Sequence, residues 1–188
     1  MSLESLFYAG TVVFLAELGD KTMLATIFLS AQYRRPGVVL LAAIGALAAA
    51  TVIAIIIGVL LAVTLPIDLI LYISGVLFII MGIYTMALSR TREGIDSVTA
   101  TTFGGMFSIV FLAELGDKTQ IAVLALAAQS ETPIFVFIGA IFGFFLVNSL
   151  GTVAGDRISE YAPIIWIKRV SGLVFIGFGI LMLIRVII

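Results

Sequence analysis

Nearly all the chemistry this chain can perform sits in two copies of one nine-residue stretch. FLAELGDKT runs from Phe14 to Thr22 and returns, letter for letter, from Phe111 to Thr119. The first copy sets Glu17, Asp20, Lys21 and Thr22 in apolar surroundings, and the second does the same with Glu114, Asp117, Lys118 and Thr119. Residues three apart share a helix face, so each Glu–Asp pair would present two carboxylates together. Each lysine follows its glutamate by four positions, a favourable ion-pair spacing within a helix. Gly19 and Gly116, between the acids, permit close helix approach or a local unwinding that frees a carbonyl. If the two copies meet, four carboxylates and two ammonium groups leave a formal charge of −2. One divalent cation neutralises that charge. Protons could neutralise the same oxygens, and competition between the two is the minimum requirement for cation/proton exchange.

The chain has no cysteine and no histidine. A metal site must therefore be built from oxygen, which favours hard cations such as manganese, calcium or magnesium. Thr22 and Thr119 add hydroxyl oxygens beside the acids. A bland alternative is that acid–lysine pairs simply clamp two helices. The second copy, and the extra carboxylate in each, argue for a ligand. Thr51 and Asn148 lie 97 positions apart near the middles of their spans, either as interhelical hydrogen-bonding groups or as contacts close to the metal. Gln32 and Gln129 are expected near opposite membrane faces, lining an entrance or capping a helix end. Gly139/Gly143 and Gly151/Gly155 have the spacing of helix-packing residues. Asp68, Glu131, Asp156 and Glu160 are expected as solvated loop charges.

The elements that must hold these residues are membrane helices. The 188 residues are 62% hydrophobic and 11% charged, against roughly a quarter charged in soluble domains. Apolar runs of about 20 residues span a hydrocarbon core, and lipid offers the backbone no hydrogen bonds, so such runs form α-helices. Six spans are predicted, at about 5–33, 38–65, 67–89, 102–129, 134–158 and 163–187. Arg34–Gly37, Leu65-Pro66, the polar stretch 90–101, Glu131–Pro133 and Asp156–Pro163 separate them. The 97-residue offset also pairs Ala31-Gln32 with Ala128-Gln129, Pro36 with Pro133, and Ser74-Gly75 with Ser171-Gly172. The expected fold is thus an all-α membrane protein of two three-helix repeats, 1–93 and 94–188. An odd helix number per repeat makes the second inverted relative to the first, an arrangement common among secondary transporters. Arg34, Arg35, Arg90, Arg92, Arg157, Lys168 and Arg169 fall at connections one–two, three–four and five–six, whereas the other face has only Arg185. The positive-inside bias then makes those connections cytoplasmic and both termini non-cytoplasmic. A net charge of −1 without a dense basic cluster argues against a nucleic-acid partner. The N-terminus lacks the basic and small-residue pattern of a removable signal peptide. Oligomeric state is left open, a homo-oligomer included.

At the two ELGDKT copies the sequence resembles a known family, whose hallmark is a duplicated E-x-G-D-[KR]-[ST] in the first and fourth of six helices. It includes bacterial MneA-type manganese exporters and Golgi manganese/calcium transporters. Both copies match at every defined position, and the resemblance extends over essentially the whole chain. It implies cation binding by Glu17, Asp20, Glu114 and Asp117, with Thr22 and Thr119 in support and Lys21 and Lys118 as structural partners or participants. It further implies manganese or calcium as cargo, protons as counter-ion, no tightly bound cofactor and no enzymatic activity. The short central loop resembles that of a compact prokaryotic member, and so implies a bacterial cytoplasmic membrane. A passive divalent-cation channel and an intramembrane hydrolase with an acid dyad are the rival readings.

Overall fold

The computed structural model of the chain describes residues 2–87, 102–161 and 164–187. Eight helices occupy them: α1 (Ser2–Glu17), α2 (Lys21–Tyr33), α3 (Pro36–Thr64), α4 (Ile67–Ala87), α5 (Phe103–Glu114), α6 (Lys118–Ala128), α7 (Pro133–Tyr161) and α8 (Ile164–Ile187). The spans expected as single helices at 5–33 and 102–129 are each two half-helices, broken at the repeated motif. None of the four halves reaches the roughly 20 residues needed to cross a bilayer alone. By contrast α3, α4 and the first part of α7, Pro133–Thr152, are long and apolar enough to do so.

Local sequence explains the boundaries. Arg34 takes a left-handed conformation (φ 51°) and closes α2 by donating its N–H to the Ser30 carbonyl. Pro36 opens α3 at its first turn, where a missing N–H costs nothing. Leu65 is extended (φ −117°, ψ 146°), as a residue before proline should be, and Pro66 ends the helix. The expected turn at Asp156–Pro163 starts later, because α7 continues to Tyr161 and carries Asp156 and Glu160 on helix rather than loop. Asp68 likewise sits in the first turn of α4, where the helix dipole favours an acid. Glu131 does occupy an exposed connection. The stretch 90–101, with Arg90 and Arg92, lies outside the described residues, as do the side chains of Gln32, Arg157 and Lys168.

Packing is close wherever glycines meet. A Cβ at Gly82 would stand 2.6 Å from the Gly172 carbonyl oxygen, and one at Gly179 would stand 2.6 Å from that of Gly75, so α4 and α8 touch backbone to backbone. Gly143 serves α7 in the same way, with its Cβ position 2.7 Å from the Gly10 carbonyl of α1. One apolar core joins α1, α3, α5, α6 and α7 through Val13, Leu47, Val110, Val123 and Phe144. Another joins α1, α4, α6 and α8 through Val12, Phe78, Ala122 and Phe175. The outside is apolar as well. Only 33% of the most hydrophobic window of α3 is buried, and Leu41, Leu60 and Val63 point outward. Water would not tolerate an apolar surface of that extent, whereas lipid does.

Candidate metal centre

Each helix break is a tight turn written by the motif itself. Leu115 (φ −60°, ψ 113°) and Gly116 (φ +80°) have the angles of the two central residues of a type II turn. The Asp117 N–H closes that turn on the Glu114 carbonyl at 3.1 Å, and the Asp20 N–H does the same to Glu17 at 3.1 Å. Gly19 matches Gly116 with φ +71°. Glutamate therefore ends one half-helix, and aspartate, in extended conformation, precedes the next (Asp20 φ −84°, ψ 171°; Asp117 φ −74°, ψ 165°). An aspartate at a helix start ordinarily caps it by accepting a backbone N–H. Neither Asp20 nor Asp117 caps its helix in this way.

They face the opposite copy. Lys21 lies 3.2 Å from Asp117, while Lys118 lies 2.5 Å from Asp20 and 3.5 Å from Asp117. The Thr119 hydroxyl donates to Glu17 Oε1 at 2.5 Å, and the Thr22 hydroxyl donates to Glu114 Oε1. Every acid is thus held by a residue of the other motif. This corrects the expectation that each lysine pairs with the glutamate four positions before it. That geometry requires a continuous helix, and the turn abolishes it. The lysines instead lock the two breaks to one another.

What remains is an oxygen cage. One carboxylate oxygen from each of Glu17, Asp20, Glu114 and Asp117 lies within 4.8 Å of the others. A cation midway between two oxygens at that separation would sit about 2.4 Å from each, within the range of calcium–oxygen bonds and slightly long for a smaller ion. Glu17 and Glu114 are completely buried, and Oε2 of each has no hydrogen-bond partner. Buried acceptors without partners are costly, and a positive ligand within reach relieves that cost. The carbonyl ends of α1 and α5 bring partial negative charge beside the glutamates, while the amide ends of α2 and α6 bring partial positive charge beside the aspartates.

The turn glycines give a test independent of transport. No atom lies within 4 Å of a Cβ added at Gly116, so Gly116→Ala has room for its methyl group and suffers only from its positive φ. We expect a loss of about 1–2 kcal/mol, with Gly116→Asn less affected because asparagine tolerates this conformation. Thermal unfolding in detergent measures both, and an alanine variant as stable as the parent would contradict the turn.

Other candidates fare differently. Asn148 is fully buried: its Nδ2 donates to the Phe144 carbonyl at 2.9 Å, and its Oδ1 accepts from Thr26 at 3.2 Å. Thr51 is fully buried, and its hydroxyl has no partner. Gln129 closes the end of α6, donates to the Ala125 carbonyl at 3.0 Å, and lines a cavity of about 280 Å³ with Glu4, Glu131 and Arg185. Thr26, Ser30 and Gln120, all buried polar residues in these half-helices, went unnoticed in the sequence. For Thr26 and Ser30 the signal was present, as hydroxyls four and eight positions after Thr22.

Comparison with known proteins identifies the family. The family described as "Divalent cation/proton antiporter GDT1" matches residues 5–93 and 102–187. A Vibrio cholerae protein named "Putative manganese exporter" is 32% identical over 88% of this chain and 84% of its own length. The "GDT1-like protein sll0615" of Synechocystis is 31% identical over 93% of this chain and 94% of its own. The "Divalent cation/proton antiporter GDT1" of Saccharomyces cerevisiae is 32% identical over 49% of this chain and 32% of its own. No solved structure matches the chain. With the match spanning both halves of the sequence, the chain belongs to the GDT1 family of divalent cation/proton antiporters and is a transporter, not an enzyme.

Proposed function

We propose that this chain exports manganese from the cytoplasm across the cytoplasmic membrane, in exchange for protons, through the cage of Glu17, Asp20, Glu114 and Asp117. The observation that carries the reading is the convergence of four carboxylate oxygens within 4.8 Å, with only two lysines to balance them. The residual −2 is balanced by a divalent cation in one state and by protons in another. Thr22 and Thr119 hold Oε1 of the glutamates in place and leave Oε2 for the ion. The name of the Vibrio cholerae relative supports manganese as the cargo. Calcium is the second reading, favoured by the width of the cage.

In this proposal residues 1–93 and 94–188 are inverted repeats, α1 with α2 and α5 with α6 each count as one broken span, and both termini are non-cytoplasmic. The exposed arginines Arg34 and Arg35 then mark the cytoplasmic face. The repeats rock about the cage, opening it to one face at a time. Family membership removes the intramembrane hydrolase.

Reconstituted vesicles test the exchange. With an acidic lumen, Mn2+ uptake should accelerate and the lumen should turn alkaline as protons leave. Mn2+ uptake with no luminal pH change would instead establish a passive channel. Movement of Ca2+ but not Mn2+ under the same gradient would decide for calcium.

A further inference from the structure

We propose that a row of hydroxyls on α2, Thr22, Thr26 and Ser30, joined by Asn148 of α7, lines the route between the carboxylate cage and the membrane face where α2 ends. The proposal rests on the cage as the cation site and adds the path by which the ion reaches it. The three hydroxyls follow one another by four residues, so they share a helix face and rise about 6 Å per step. All are buried, with exposures of 2%, 0% and 9%. Thr22 reaches into the cage through Glu114. The Thr26 hydroxyl has two acceptors within reach, the Met23 carbonyl at 2.8 Å and Asn148 Oδ1 at 3.2 Å. Ser30 Oγ has no partner.

Ser30 shares that state with Thr51 and Ser149, and what sets it apart is its place in the row that begins at Thr22. A helical hydroxyl with nothing else to do bonds back to a carbonyl one turn earlier, as Thr64 does to Leu60 at 3.0 Å. Ser30 does not, and a buried hydroxyl left unpaired is destabilising. Water or the hydration shell of a passing ion satisfies it. The second half of the chain supplies the control. At the positions 97 residues later stand Thr119, Val123 and Ala127, with Thr51 in place of Asn148. Val123 and Ala127 are 0% and 1% exposed and belong to the apolar core. Ala127 Cβ lies 3.1 Å from where a Cβ of Gly58 would be. The fold therefore closes this level of the second half with methyl groups, and packing alone does not demand hydroxyls in the first. Only the threonine of the motif is common to both. A ladder of neutral oxygens suits a hard divalent ion that must shed water in stages without being held tightly.

The absence of cysteine makes the test direct, since each introduced thiol is read alone. Ser30→Cys and Ala127→Cys, which occupy matched positions, are compared in the full-length protein in vesicles with a charged, membrane-impermeant methanethiosulfonate. Ser30→Cys should react at least tenfold faster than Ala127→Cys, and saturating Mn2+ should slow it. An inert Ser30→Cys, an equally reactive Ala127→Cys, or labelling indifferent to Mn2+ would each overturn the proposal. If Ser30→Cys does not fold, Thr26→Val/Ser30→Ala, which installs the residues of the second half, replaces it. Mn2+ flux at least fivefold below that of the parent supports the route, and parental flux overturns it. Relative labelling of the two thiols does not require transport, so failure of the cage would appear separately, as Mn2+ flux surviving in Glu17→Gln.

Discussion

Glu17→Gln and Glu114→Gln should each abolish Mn2+ transport while leaving a folded protein. Glutamine keeps the shape of glutamate, and its carbonyl oxygen can still accept the hydroxyl of Thr119 at position 17 or of Thr22 at position 114. What changes is the other terminal atom. Oε2, buried and without a partner, becomes an NH2 that offers hydrogens where a cation needs a lone pair, and the formal charge falls from −2 to −1. Removing one member of a buried, desolvated charge pair costs about 2–5 kcal/mol, or roughly thirtyfold to several-thousandfold in affinity. Folding should not suffer, since an ionised carboxylate at this depth is itself a burden of about 2.5–3.5 kcal/mol on insertion scales. Equilibrium Mn2+ binding and vesicle flux measure the two effects. If either variant transports at the parental rate, the shared cage is wrong.

Lys118→Met should destabilise the protein more than Lys21→Met does. Lys118 bridges both aspartates, at 2.5 Å and 3.5 Å, whereas among the described residues Lys21 forms its ion pair with Asp117. The Lys118 side chain is also the more enclosed, 18% exposed against 33%. Its loss leaves two poorly solvated aspartates with one lysine between them, and breaking a buried pair from one side costs about 3–5 kcal/mol. Solvent screening reduces the corresponding cost at Lys21. The double variant Asp20→Asn/Lys118→Met should recover part of the loss, because it removes the stranded charge together with its partner. Thermal unfolding in detergent of the parent, the two lysine variants, Asp20→Asn and the double variant reads both comparisons. Equal stability of the two single lysine variants would mean that the crossed ion pairs do not hold the breaks together.

The same pair of motifs shows where sequence reasoning succeeds and where it stops. That Glu17, Asp20, Glu114 and Asp117 belong together followed from type, spacing and duplication, since acids in an apolar chain need partners and an identical copy is the nearest source. That Lys21 and Lys118 would serve their own glutamates was wrong, and for a definite reason. A four-residue spacing means neighbourhood only along an unbroken helix, and a glycine between two acids can mark either close packing or a turn. Only the positive φ of Gly19 and Gly116 distinguishes these. The end of α7 went astray similarly, because Asp156 and Glu160 look like a loop by polarity although polar residues also serve at helix ends. Ser30 was overlooked because one hydroxyl in an apolar helix is unremarkable until its lack of a partner is seen.

The amino-acid sequence by itself determined the membrane class, the residues of the cage and its excess of negative charge. These depend on composition and repetition, which need no coordinates. The tertiary structure decided which copy holds which acid, that glutamate closes one half-helix while aspartate opens the next, and which oxygens remain unclaimed. Each of those depends on the path of the backbone through two turns and on the distance between segments nearly a hundred residues apart. Local propensity carries neither, because the partners that settle them lie in the other half of the chain.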